Sequence, residues 1–289
     1  MNKYKVDIFL NNHFPNYNKK PMDDTSIKHI DLKHFKRAIK SNDHQYILRG
    51  EPTLYPYLYE VLDSLQGKDF ILTTSGFNPD VLINYKGKIP YLVLNYDGFL
   101  NDKLRNAPLT NNILKLLNHF GNRSNDTITR ICYTISKMNL PWLKPDAEIL
   151  IKFYELYPNL KKPYFVIYQQ AEMYNQDVFT WVGMGIESVK LLNHKGLLSE
   201  KNLAYMNAWL KKEDYVCSSP QNEMVLSYDG KFKTCMSMRF IEEIGDIETT
   251  SFDDIIVATA GHRKGCEQCH YRQYCWLAFH YKDNIEKGE

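Results

Sequence analysis

Between residues 5 and 170 short apolar runs and helix-period segments take turns along the chain, and this order restricts the available folds more than any single motif does. KVDIFL (5–10), QYILRG (45–50), DFILTT (69–74), PYLVLNY (90–96), TRICYTIS (129–136) and PYFVIYQQ (163–170) read as strands. DLKHFKRAIKSN (31–42), YPYLYEVLDSL (55–65), FNPDVLINYKG (77–87), LTNNILKLLNHFGN (109–122) and DAEILIKFYELYPNL (146–160) lie between them and read as helices. Leu58, Val61, Leu62 and Leu65 recur at i, i+3, i+4 and i+7, as do Ile113, Leu116, Leu117 and Phe120, so each helix buries one stripe. The strand runs alternate little, as expected where crossover helices cover a parallel sheet on both faces. Residues 1–185 are therefore expected to form an α/β domain, an open parallel sheet or partial barrel. Ligands of such folds sit at the carboxyl ends of the strands, which points to the loops after residues 10, 50, 74, 96 and 136.

The pattern changes over residues 186–289. A helical stretch, GIESVKLLNHKGLLSEKNLAYMNAWLKKED, leads to the turn signal SYDGKF, where Asp229 and Gly230 suit a tight hairpin. Five of the six cysteines follow residue 186. Cys217 and Cys235 flank the hairpin, Cys266 and Cys269 have the CxxC spacing that turns two thiols toward one metal, and Cys275 is a fifth. The chain shows no signal-peptide pattern and no run approaching the roughly 20 apolar residues of a membrane span, so a cytoplasmic location is expected. In that reducing compartment clustered thiols point to metal binding, and zinc and iron–sulfur both suit four thiolates. Cys132, alone inside a strand run, reads as a small buried hydrophobe. With 36 basic and 34 acidic residues, the charge gives no strong footprint for nucleic acid or an anionic membrane. The 21 tyrosines and the segment CHYRQYCWLAFHYK (269–282) leave nucleic acid open but not favoured over aromatics that wall off a metal site.

The spacing of Cys217, Gly230, Cys235, Cys266, Cys269 and Cys275, with IGDI (244–247) and SFDDI (251–255) between the cysteine groups, resembles the SPASM and twitch domains that follow radical S-adenosylmethionine (SAM) barrels. RGEPTLYPYLYEVLDSL (49–65) resembles the GGEP segment and following helix of the radical SAM core, and NYDGF (95–99) with Arg105 resembles its fourth-strand segment. The resemblance implies a partial (βα)6 barrel over 1–185, a small cysteine-rich α+β domain over 186–289, and one auxiliary [4Fe-4S] cluster, with zinc as the alternative. It implies ligation by four of Cys217, Cys235, Cys266, Cys269 and Cys275, with His270 or His280 as substitutes. It places Gly50, Glu51 and Pro52 at the cofactor-binding position, where Glu51 would hold the SAM ammonium; otherwise Glu51 and Pro52 shape the loop and cap the next helix. Arg49 stands where the family has glycine, and would crowd SAM, pair with Glu51 or take an acidic group of another ligand.

One departure dominates. The loop that carries CxxxCxxC in the family reads NNHFPNYNKKP (11–21), and no cysteine precedes Cys132, so three thiolates cannot meet there. His13 is the loop's one conventional ligand, and Asn11, Asn12, Asn16 and Asn18 are turn formers. Phe279 stands where a full SPASM domain continues with cysteine, which favours one auxiliary cluster over two. Two readings follow. The chain is a radical-SAM-like pseudoenzyme that serves as a binding or partner subunit, with a peptide or protein, such as a complete radical SAM enzyme, as its partner. Alternatively it is a redox enzyme in which the C-terminal cluster acts on a substrate held in the barrel, served by an electron-donor partner.

Overall fold

The computed structural model describes residues 5–13, 26–40, 44–122, 127–136, 138–157, 159–167, 187, 190–200, 202–204, 223–233, 243–250 and 254–255. Six strands appear where the apolar runs lie: β1 Lys5–Phe9, β2 Gln45–Arg49, β3 Asp69–Thr74, β4 Tyr91–Asn95, β5 Ile128–Ile135 and β6 Leu160–Ile167. The helices are α1 Leu32–Ala38, α2 Leu58–Ser64, α3 Pro79–Asn84, α4 Asn101–Arg105, α5 Thr110–Phe120 and α6 Leu143–Leu156. Adjacent strands from β1 to β6 pair in parallel, in chain order. This is the six-strand βα repeat expected from the alternation, with α4 added between β4 and β5.

Three further strands, β7 Glu223–Leu226, β8 Lys231–Lys233 and β9 Glu243–Asp246, extend the sheet beyond β1 to nine strands. β7 runs parallel to β1, and β8 and β9 follow antiparallel. The expected hairpin is present, with Gly230 at φ +81° and its Cβ direction open only to within 3.2 Å of His34 and Ile247. The strands of this hairpin thus continue the same sheet as the βα repeat. Glu248, just past β9, accepts from His34 of α1 at 2.8 Å, while its carbonyl accepts from Arg37 Nη1 at 2.9 Å.

The core lies between the sheet and its helices. Leu58, Val61, Leu62 and Leu65 of α2 and Ile113, Leu116, Leu117 and Phe120 of α5 pack there against Val6, Ile8, Tyr46, Leu48, Leu72, Leu94, Ile131 and Tyr133. Each fully buried aliphatic side chain contributes about 1.5–3 kcal/mol relative to exposure.

The other face differs from the expectation of full burial. β5 alternates strictly between buried and half-buried positions, and on β4 only Leu92 and Leu94 are fully buried. The inner face of these strands is therefore less completely covered than the helix side. β1 and β2 remain buried on both faces apart from Arg49, which is why their sequences show no alternation. At the outer edge of β6 the buried Asn202 takes the place of a neighbouring strand: its Oδ1 accepts from Phe165 N at 2.8 Å and its Nδ2 donates to Phe165 O at 3.0 Å.

Candidate functional site at the barrel mouth

Each of the first four strands leads into a turn that starts with a side chain or glycine suited to reversing the chain. After β1, Leu10 and Asn12 hydrogen-bond to the returning segment Lys28–Ile30. Asn12 adds its side chain, accepting from Lys28 N at 2.8 Å and donating to Ser26 O at 3.3 Å. Gly50, Gly76 and Gly98 follow β2, β3 and β4 with φ of +77°, +77° and +72°, a region that L side chains seldom enter. A Cβ on Gly50 would lie 2.6 Å from Asn11 O and Oδ1, and one on Gly98 would fall on the Asp146 carboxylate.

These turns are joined by a continuous hydrogen-bonded belt. Asn11 Oδ1 accepts from Glu51 N at 2.9 Å and from His13 N at 3.1 Å, and its Nδ2 donates to Glu51 O at 2.8 Å. The Glu51 carboxylate turns away from solvent. Its Oε1 accepts from Thr53 N at 3.2 Å, Thr53 Oγ1 at 2.7 Å and Thr74 Oγ1 at 2.5 Å, and its Oε2 accepts from Ser75 N at 2.7 Å. Glu51 thereby caps the 3-10 turn Pro52–Leu54, with Pro52 in its first turn. Burial pushes its pKa above the ordinary carboxylate value, against the opposing pull of those four donors.

The belt continues through Ser75, whose Oγ accepts from Arg105 Nη1 at 3.0 Å. Arg105 Nη2 lies 2.5 Å from Asp97 Oδ2, both side chains being buried, and Asp97 Oδ1 accepts from Thr134 N at 3.0 Å. Asn139 then holds Thr134 O at 2.7 Å and Ser136 N at 2.7 Å. The carboxyl ends of five strands are thus tied together by side chains from their own loops.

Below the belt, on the inner face of β1 and β2, Arg49 Nε pairs with Asp7 Oδ1 at 2.6 Å. Asp7, which the sequence did not single out, is thus a carboxylate partner of Arg49. Burial raises the pKa of Asp7, and Arg49 opposes that shift. His13 is buried edge-on against Phe77, with ring centroids 4.6 Å apart. Cys132 is half-buried on the inner face rather than in the helix-side core, and burial lifts its thiol pKa to about 12, so it is a neutral thiol at physiological pH.

No protein-family model and no curated protein matches this chain. Solved structures do. SuiB from Streptococcus suis bound to S-adenosylmethionine superposes with a TM-score of 0.60 at 13% identity, covering 94% of this chain and 72% of that one. SuiB bound to its precursor peptide SuiA superposes with a TM-score of 0.63 at 14% identity, covering 94% and 71%. The fold is of the radical SAM type. The residues after β1 do not fit the three-thiolate cluster that the resemblance would place in that loop. Asn11 and Asn12 direct their amides at main-chain groups, and the sequence supplies no thiol there. Both oxygens of Glu51 already accept hydrogen bonds, and its side chain has no exposed surface.

Of the residues singled out from sequence, Gly50, Glu51, Pro52, Asn11 and Arg105 meet in the belt. Cys217, Cys235, Cys266, Cys269, Cys275, His270 and His280 lie outside the described residues, and among the described residues no group of three or more His, Cys, Asp or Glu side chains is placed to hold a metal. No helix among the described residues is long and apolar enough to cross a membrane. Sequence reasoning missed Asp7, Ser75, Asp146 and Asn202. Asp7 carried a signal, a carboxylate in the apolar run KVDIFL with a cation at the end of the next strand. The others had none, because their partners are distant in sequence.

Proposed function

We propose that this chain is a radical-SAM-like barrel without the SAM-cleaving cluster, acting as a peptide- or protein-binding subunit. Its C-terminal thiolates, four of Cys217, Cys235, Cys266, Cys269 and Cys275, hold one auxiliary [4Fe-4S] cluster in this reading. The observation that carries it is the belt. Asn11 and Asn12, which open the loop that would offer three thiolates, bond their amides to main chain, and the Glu51 carboxylate is held by Thr53, Thr74 and Ser75. A ligand ammonium would have to reach a carboxylate that has no exposed surface and that four donors already hold toward the loops after β2 and β3. SuiB, of like fold, has been crystallised with a peptide, which supports a peptide as the partner.

The test uses the full chain purified without oxygen. Expected are iron and sulfide in equal amounts, no measurable heat on titration with SAM, and no SAM cleavage on adding a strong one-electron reductant. Cleavage of SAM above the rate of a Cys266→Ser, Cys269→Ser control would overturn the proposal. Zinc without sulfide would replace the cluster by a structural metal and leave the binding reading standing.

A further inference from the structure

On the inner face at the mouth, charged and neutral polar groups are treated differently. Asp7 is paired with Arg49, Asp97 with Arg105, and Glu51 with four donors. A neutral strip on β3, β4 and β5 lies beside them. Thr73 pairs in the ladder with Val93, and Asn95 with Cys132, so Thr73, Asn95, Cys132 and Thr134 share the face turned away from the helices. Asn95, Cys132 and Thr134 are half-buried. Among the described residues the single side-chain hydrogen bond of this strip runs from Asn95 Nδ2 to Ser75 Oγ, at the outer limit of 3.5 Å. By contrast the amides of Asn11, Asn139 and Asn202 are held by main-chain groups at 2.7–3.1 Å.

Unused capacity of this kind selects its ligand by chemistry. A charged ligand finds Asp7 and Arg49, and Asp97 and Arg105, already paired, and separating a buried ion pair leaves an uncompensated charge. A neutral ligand with an adjacent donor and acceptor meets no such cost, and a carboxamide offers the matching pair. Resting on the peptide-binding reading above, we propose that the strip Thr73–Asn95–Cys132–Thr134 binds an uncharged peptide backbone, with the Asn95 carboxamide taking the N–H and C=O of one peptide unit. The hydroxyls of Thr73 and Thr134 serve the neighbouring units.

The test is a titration of the full chain, carrying 15N-labelled asparagine, with a capped uncharged tetra-alanine peptide. The readout is the side-chain NH2 signal of Asn95, assigned by its loss in Asn95→Leu. Saturable movement of that signal is expected, with affinity at least fivefold weaker in Asn95→Leu at unchanged thermal stability, and no movement with acetate. Peptide binding of equal strength in Asn95→Leu would overturn the strip while leaving the peptide reading intact. Movement with SAM instead of the peptide would overturn both. No movement with any of the three probes would overturn the strip, and the SAM-cleavage assay judges the wider reading separately.

Discussion

Glu51 is the residue at which two roles compete, and its environment decides between them. Four donors converge on a side chain with no exposed surface, so Glu51→Ala leaves two hydroxyls and two amides without their acceptor. The expected loss is about 2–4 kcal/mol in urea unfolding, since each stranded buried donor costs of order 1 kcal/mol or more. The pH dependence has a definite sign. Burial raises the folded-state pKa of Glu51, and likewise of Asp7 and Asp146, so the folded chain holds these protons more tightly than the unfolded one. Their contribution is fully present below the ordinary carboxylate range and is lost as pH rises from that range through the raised values. Urea midpoints followed from pH 4 upward are expected to show this decline, flattened in a variant carrying Asp146→Asn. Gly50 makes a second residue-level prediction. Gly50 and Gly67 share nearly the same φ, +77° and +78°, but a Cβ on Gly67 meets nothing within 4 Å whereas one on Gly50 meets Asn11 at 2.6 Å. Gly67→Ala is expected to cost about 1–2 kcal/mol from backbone conformation alone, and Gly50→Ala clearly more, by chemical denaturation.

Among elements, β6 is informative because it ends the sheet of the described residues. An unpaired edge invites strand addition, and here Asn202 occupies the edge at Phe165 with one donor and one acceptor. Asn202→Leu is expected to keep the segment packed but to expose the Phe165 amide, raising its hydrogen exchange about tenfold or more while β3 and β4 stay protected. Equal exchange in the variant would show that the Asn202 amide adds nothing to the edge. β4 and β5 carry the complementary lesson: their inner face is only partly covered, and the alternation is visible in TRICYTIS once the half-buried positions are known. Read alone, Ile, Cys, Tyr and Ile dominate that run and mask the period.

At the scale of the whole molecule, the nine-stranded sheet connects the thiol-bearing region to the barrel through the β1–β7 pair. In sequence Cys217 precedes β7 by a few residues and Cys235 follows β8 closely, so under the proposed ligand set the metal would lie next to the β7–β8 hairpin in the chain. Cys269→Ser is expected to strip the metal and speed hydrogen exchange in β7 to β9, with β2 to β5 unaffected. Unchanged metal content would remove Cys269 from the ligand set. The Glu248 contacts with His34 and Arg37 tie the far end of the extension to α1, but Glu248 is exposed, and such surface contacts stabilise little.

The sequence by itself determined the order and kind of the elements. Apolar runs and helical stripes are local, and the six strands and five of the six helices lie where periodicity or composition placed them, the short α4 being the addition. It also determined, by containing no early cysteine, that a three-thiolate site cannot form after β1. The tertiary structure decided the rest. That Arg49 meets Asp7, that Asn11 holds the Glu51 peptide, and that Arg105 bridges Ser75 and Asp97 depend on strand order and register. Those partners lie 30 or more residues apart at most of these contacts, and no local pattern encodes a hydrogen bond across such a distance. Burial then converts them into a site, because a polar group removed from water must find a partner, and the partner's identity follows from which loops the fold brings side by side.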